Sequence, residues 1–197
     1  MKNNAKFVIT NIVKDSLYSI KYEGSDDEFS SFFNKLQDIE FLFNFFSNNE
    51  NDLKRGFFGK FNYNIENAIS CTIDESEELE DLILDIAEDN RTESYEKLDT
   101  YFKPLFKSEI EKYPPPEYQK CKMYGEKKPS WIRLYGIRLE ANVFIITGGA
   151  IKLTKKMQGR SHTERELRKL EDLKDYLIEN GIIDKLVLEE LIKNTNE

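Results

Sequence analysis

The chain has 197 residues, of which 39% are hydrophobic and 34% charged, with a formal net charge of −8. That length carries one domain with a real core, and the composition is globular rather than disordered. No apolar run reaches the ~18–20 residues of a membrane span, and the N-terminus leads into an alternating segment without an apolar signal core. Cys71 and Cys121 stand far apart, which is neither a disulfide framework nor a metal spacing, and with one His and no CxxC a structural zinc site is not expected. The expected location is a reducing cytoplasm, with no membrane contact, no metal and no cofactor.

The charge is segregated. Residues 1–120 hold 14 Lys/Arg and 25 Asp/Glu, a balance of −11. Residues 121–170 hold 12 and 4, a balance of +8, and residues 171–197 hold 3 and 8, a balance of −5. A basic segment inside an acidic chain is the footprint of a local polyanion site, or a solvated face balanced by acids elsewhere.

In chain order, Phe7–Ile12 and Ser16–Tyr22 read as two short strands, rich in β-branched and aromatic residues. Ser25-Asp-Asp-Glu28 is a capping box, and Phe29, Phe32, Phe33, Leu36, Leu42, Phe43 and Phe46 follow at helical spacing with a break near Asp38. This Phe stripe is core. A short helical turn is expected over Ile65–Cys71. A second capping box, Thr72–Glu75, opens a helix with Leu79, Leu82, Ile83 and Ile86 on one face and acids on the other. Tyr95–Phe106 continues helical towards Pro104, and Lys112-Tyr-Pro-Pro-Pro-Glu117 is the one linker-like stretch. Beyond it come strands over Tyr118–Tyr124, Trp131–Glu140 and Val143–Thr147, with Gly148-Gly149 ending the last strand or forming a bulge in it. Ser161–Glu164 is a third capping box, ahead of an amphipathic helix through Leu167, Leu170, Leu173 and Leu177 that ends at Gly181; a short last helix spans Asp184–Lys193.

The chemistry lies in the basic segment. In the strand from Trp131, period-two geometry puts Arg133 and Tyr135 on one face. An Arg in mid-strand either pairs with a carboxylate across the sheet, as Arg133 or Arg138 can, or faces an open concave surface that holds phosphate. The next strand exits through Lys152, Lys155, Lys156 and Arg160, with His162 just beyond, and Lys127 and Lys128 stand at the turn before Trp131. Cations on neighbouring strand ends can form one phosphate-sized pocket, with Tyr135 among the aromatics able to stack on bases.

The run SWIRLYGIRLEANVFIITGGAIKLTKK, followed by a Leu-, Lys- and Glu-rich helix, resembles the last strands and final helix of the RelE/ParE/HigB toxin superfamily. The resemblance covers about a third of the chain. It implies a single α+β domain over 1–197: a twisted antiparallel sheet with helices on one face and a basic concave surface. N-terminal strands and helices over 1–112 would enlarge a strand-strand-helix core over 118–181. It further implies the toxin of a toxin–antitoxin pair, a metal-independent, ribosome-dependent endoribonuclease that cleaves mRNA by 2′-OH attack on phosphate. The partners would be a cognate antitoxin, the ribosome and mRNA. Arg133 and Lys152 match phosphate-stabilising positions, and His162 falls near a place where some members keep an acid or base; a capping role for His162 is the other reading. Lys127, Lys128, Tyr135, Lys155, Lys156 and Arg160 would bind RNA. Two alternatives stay open: a non-catalytic protein of the same fold that binds a partner protein or RNA, and gyrase inhibition.

Overall fold

A computed structural model describes residues 7–89, 97–110, 115–125, 129–157 and 159–195. Strands β1 (Phe7–Val13) and β2 (Leu17–Tyr22) form an antiparallel hairpin. Asp15 takes a φ of 72° in its turn, a conformation that Asp tolerates better than most residues. Helix α1 (Glu28–Gln37) is capped by Asp27, whose carboxylate accepts from the Ser30 N–H at 3.0 Å. The cap thus falls two residues beyond the expected Ser25, because Asp27 is the residue placed to reach the free N–H groups of the first turn. Asp38 ends α1 and caps α2 (Ile39–Asn48), accepting from the Phe41 N–H at 3.0 Å, so the break in the Phe stripe is a double cap.

Two short helices, α3 (Glu50–Lys54) and α4 (Gly56–Gly59), lead to the long α5 (Ile65–Asp89). Helix α5 runs straight through Thr72, where a start was expected. The Thr72 hydroxyl donates to the Ala68 carbonyl, four residues back, and so serves inside the helix. After α6 (Leu98–Tyr101) the chain forms the short strand β3 (Lys103–Pro104) where helix was expected. Proline cannot continue the helix, and β3 pairs with β4 (Gln119–Tyr124). Strands β5 (Ile132–Glu140) and β6 (Val143–Ile151) follow, then α7 (Ser161–Glu179) and α8 (Lys185–Thr195).

The six strands form one α+β sheet in the order β1-β2-β6-β5-β4-β3. Two expectations are corrected here. First, the sheet is mixed: β2 runs parallel to β6, and the other neighbours are antiparallel. Second, helices cover both faces rather than one. The central strands are apolar on both sides, and each apolar face must be buried. Ile132, Leu134, Phe144 and Ile146 pack with Phe29, Phe33, Leu36, Leu42, Phe46, Leu79 and Ile83 of α1, α2 and α5. Tyr135, Ile137, Val143 and Ile145 pack instead with Leu170, Leu173, Leu177 and Leu188 of α7 and α8. Because β2 and α1 from the first half join β6 from the second, the two parts share one sheet.

Strand β6 passes close to side chains from both layers at Gly148 and Gly149. Gly148 has a φ of +132°, and a Cβ there would lie 2.6 Å from a carboxylate oxygen of Glu166; a Cβ at Gly149 would strike the Phe32 ring. The sheet register shifts between Tyr135 and Gly136, which pair with Gly148 and Ile146, so the extra residue of the bulge is Thr147, one before the expected Gly148-Gly149, and β6 continues through both glycines to Ile151.

Leu134, Ile145 and Leu170 are fully buried, whereas Leu167 sits half-buried at the margin. Truncating Leu170 to Ala is expected to cost roughly 2–5 kcal/mol, the range for a buried Leu whose neighbours cannot fully collapse. Chemical denaturation of the variant checks this; a cost under about half a kcal/mol would place the α7 register elsewhere.

Candidate functional site

Where the chain leaves β4 and enters β5, facing α3 and α4, the structure holds a cavity of about 730 Å³. Arg133, Lys152, Lys155 and Arg55 supply its cations, and Phe57, Phe58, Phe61 and Tyr124 its aromatic surface. Arg133 of β5 lies opposite Tyr124 of β4 in the sheet register, and its guanidinium sits 4.1 Å from the Tyr124 ring centroid. Its Nη1 donates to the carbonyls of Ser130 at 3.1 Å and Ile132 at 2.6 Å. The Lys152 ammonium donates to the carbonyls of Thr154 and Lys155, both at 2.7 Å, which folds the exit from β6 around it.

Among the described residues, no carboxylate stands within ion-pair distance of Arg133 or Lys152. Burial pulls the Arg133 guanidinium below its ordinary value, opposed by Tyr124, Tyr135 and Glu75. Burial also lowers Lys152, and repulsion from Arg133 and Lys122 adds to it. Partly buried cations that repel one another and face an open cavity favour an anion there.

The other basic residues of the chain's second half are placed differently. Arg138 takes the paired reading: its guanidinium grips Asp99 at 2.8 and 3.2 Å, and Asp99 also accepts from the Asn142 N–H, tying α6 to the β5–β6 turn. Arg160 forms a two-point pair with Asp52 of α3, each bond 2.7 Å; Asp52 lines the cavity and Arg160 does not, so the pair neutralises the carboxylate in the cavity wall. Lys156 is exposed and lies outside the cavity wall. Lys127 and Lys128 fall outside the described residues.

Two expected site residues are elsewhere. Tyr135 shares the face of Arg133 but is fully buried under α7, so it is no stacking surface for RNA. Its neighbour Arg133 escapes this cover because it lies nearer the end of the sheet where the cavity opens. His162 lines a separate cavity of about 200 Å³, away from Arg133 and Lys152. Its Nε2 lies 3.1 Å from the Ile151 carbonyl and its ring meets Phe45 edge-on at 5.2 Å, while burial lowers its pKa. The first turn of α7 turns it there. The expected Ser161–Glu164 capping box is not formed: Arg160 is the N-cap residue and makes no side-chain cap, Ser161 is already helical, and the turn before α7 is held instead by the Gly159 N–H donating to Glu164 at 2.7 Å and the Thr163 hydroxyl donating to the Arg160 carbonyl at 3.0 Å.

The sequence reading missed the opposite wall. Its signal is Lys54-Arg-Gly-Phe-Phe-Gly-Lys-Phe61, three cations and three Phe within eight residues of an otherwise acidic half. Lys122 was also missed: its ammonium donates to the Leu105 carbonyl at 3.1 Å and lies 5.8 Å from the Tyr124 ring.

The smaller cavity contains an ionic cluster. The Lys169 ammonium bridges Glu28 of α1 at 2.6 Å and Glu166 of α7 at 3.0 Å, joining the two helical layers past Gly148. Glu166 is 4% exposed and its Oε2 has no hydrogen-bond partner. Among the described residues, no group of three or more His, Cys, Asp or Glu side chains is arranged to hold a metal ion, and no helix is long and apolar enough to cross a membrane. Comparison with known families, curated proteins and solved structures found no match to this chain.

Burial pushes the Glu166 carboxyl up to about 7, against the pull of Lys169 and with help from Glu28. A carboxyl raised in the folded state binds its proton more tightly there than in the unfolded chain, where its ordinary value is 4.5. Its contribution is full below that value and is lost as pH rises through about 7. Glu166→Gln is therefore expected to lose less stability than the native chain between those two pH values, by about 1 kcal/mol or more and a few degrees in Tm. Thermal melts of both proteins across that range check it; parallel profiles would show that Glu166 is ionised throughout.

Proposed function

We propose that this protein is an RNA-directed toxin: a metal-independent endoribonuclease of RelE/ParE/HigB type whose site is the Arg133–Lys152 cavity. The observation that carries this reading is the meeting of Arg133 of β5 with Lys152 and Lys155 of the exit from β6 on one cavity, without, among the described residues, a carboxylate partner for Arg133 or Lys152. The succession β4-β5-β6-α7 over the basic segment is also the strand and helix order that the resemblance implies. In this scheme the ribose 2′-OH attacks the adjacent phosphorus and the bond to the 5′-oxygen breaks, leaving a 2′,3′-cyclic phosphate and a 5′-hydroxyl. Arg133 and Lys152 offset the negative charge that builds on the non-bridging oxygens. Lys152 stays an ammonium throughout, and water takes the 2′-OH proton and supplies one to the leaving 5′-oxygen. The partners of this reading are mRNA in the ribosome and a cognate antitoxin.

The second reading, a non-catalytic RNA-binding protein, is favoured by one observation: His162 points into another cavity and leaves the basic site without an imidazole. Induced expression separates the two. As an endoribonuclease the native chain arrests growth and shortens mRNA. Arg133→Ala and Lys152→Ala each reduce cleavage by roughly a hundredfold or more, the usual cost of removing one charge-stabilising donor. His162→Ala retains cleavage, and EDTA does not inhibit. If the native chain leaves growth and mRNA untouched, the binding reading replaces the catalytic one; if Arg133→Ala stays fully toxic, the site assignment falls.

A further inference from the structure

The two walls of the main cavity differ in chemistry, and the cations account for only one of them. The other is built by α4 and the residues after it. Phe58 is buried, with its ring 5.3 Å from that of Trp131, and this contact fixes the short helix against the start of β5. Phe57 and Phe61, by contrast, are 48% and 40% exposed, with ring centroids 5.8 Å apart and planes inclined at 60°. Lys60 places its ammonium 4.5 Å and 4.9 Å from these two rings yet does not line the cavity, so it backs the pair from outside. A planar group lying flat on one ring meets the other edge-on, the two arrangements that aromatic groups favour.

We infer that this cavity receives one unpaired nucleotide, its phosphate held by Arg133, Lys152 and Lys155 and its base laid against Phe57 and Phe61. The inference deepens the RNA-directed reading and rests on it only for the strand to which the nucleotide belongs. Inorganic phosphate would leave the aromatic wall exposed to water. A purely apolar ligand would leave the Arg133 and Lys152 charges without an anion. A nucleotide satisfies both walls, and about 730 Å³ lies within the usual range for small-molecule sites. Duplex RNA keeps its bases stacked and paired, so it cannot offer a base to Phe57 and Phe61; a single strand can.

Titration calorimetry on the full chain tests this with adenosine 5′-monophosphate, adenosine and inorganic phosphate as separate probes. The nucleotide should bind at least about tenfold tighter than either half, since base stacking adds to the phosphate contacts. The double variant Phe57→Ala, Phe61→Ala should lose about tenfold or more in nucleotide affinity while phosphate binding changes less than about twofold. Both rings are exposed, so the variant should fold; circular dichroism and the emission of the single tryptophan, Trp131, against Phe58, verify this. A nucleotide that binds no better than phosphate, or as well to the double variant as to the native chain, overturns the inference. A single-stranded hexanucleotide and its annealed duplex then identify the source. Binding of the single strand alone supports a nucleotide presented within RNA. If the mononucleotide binds but neither oligonucleotide does, the pocket stands as a free-nucleotide site and the toxin reading falls. If RNA is cleaved but the nucleotide gains nothing from the aromatic wall, the toxin reading stands and this inference falls.

Discussion

The hydrogen bond from the Trp131 indole N–H to the Thr72 hydroxyl, 2.9 Å long and fully buried, holds the basic strands and the aromatic wall in one frame. Around it the rings of Phe46, Phe58 and Tyr63 pack edge-on at 5.5, 5.3 and 5.0 Å, bringing α2, α4 and the approach to α5 against the start of β5. Arg133 follows Trp131 by two residues. The position of the cation relative to Phe57 and Phe61 therefore depends on how the indole is seated, and a buried indole N–H without a partner would be costly. Thr72 is suited to this because its hydroxyl donates to Ala68 within α5 and still accepts from Trp131.

The second constraint is the sorting of charge. Arg138 is paired with Asp99, Arg160 with Asp52, Lys120 with Glu171, and Lys169 with Glu28 and Glu166. Apart from Lys169–Glu166 inside α7, these pairs lie between elements distant in sequence and serve to join them. Among the cations that line the cavity, Arg133 and Lys152 make polar contacts to backbone carbonyls. Carbonyl contacts orient a cation without cancelling its charge, so the chain keeps a local positive field despite its net −8. On α5, Asp74, Glu77, Glu78 and Asp81 are exposed, and this acidic strip disfavours polyanions on that helix. Net charge and local charge thus report different things: the first concerns solubility, the second a site.

Much of this was determined by the sequence alone. The hairpin of β1 and β2, the Phe stripe broken at Asp38, the strands on either side of Asn142 and the amphipathic α7 all follow from local periodicity and turn chemistry, which neighbouring residues settle among themselves. The +8 segment contained three of the four cations that line the cavity, and strand geometry put Arg133 and Tyr135 on one face. Only the tertiary structure decided that α7 buries Tyr135 and leaves Arg133 at the cavity, since the cover over a strand comes from an element some thirty residues away. It likewise decided which arginine found a carboxylate: Arg133 and Arg138 look alike in the strand, but Asp99 is brought beside Arg138 by α6. His162 was assigned by its place in the chain, and its direction was set by the first turn of α7, where it meets Phe45 and the Ile151 carbonyl. The α4 wall faces the basic strands because Phe58 and Trp131 pack together, a contact across seventy-odd residues that no local pattern encodes.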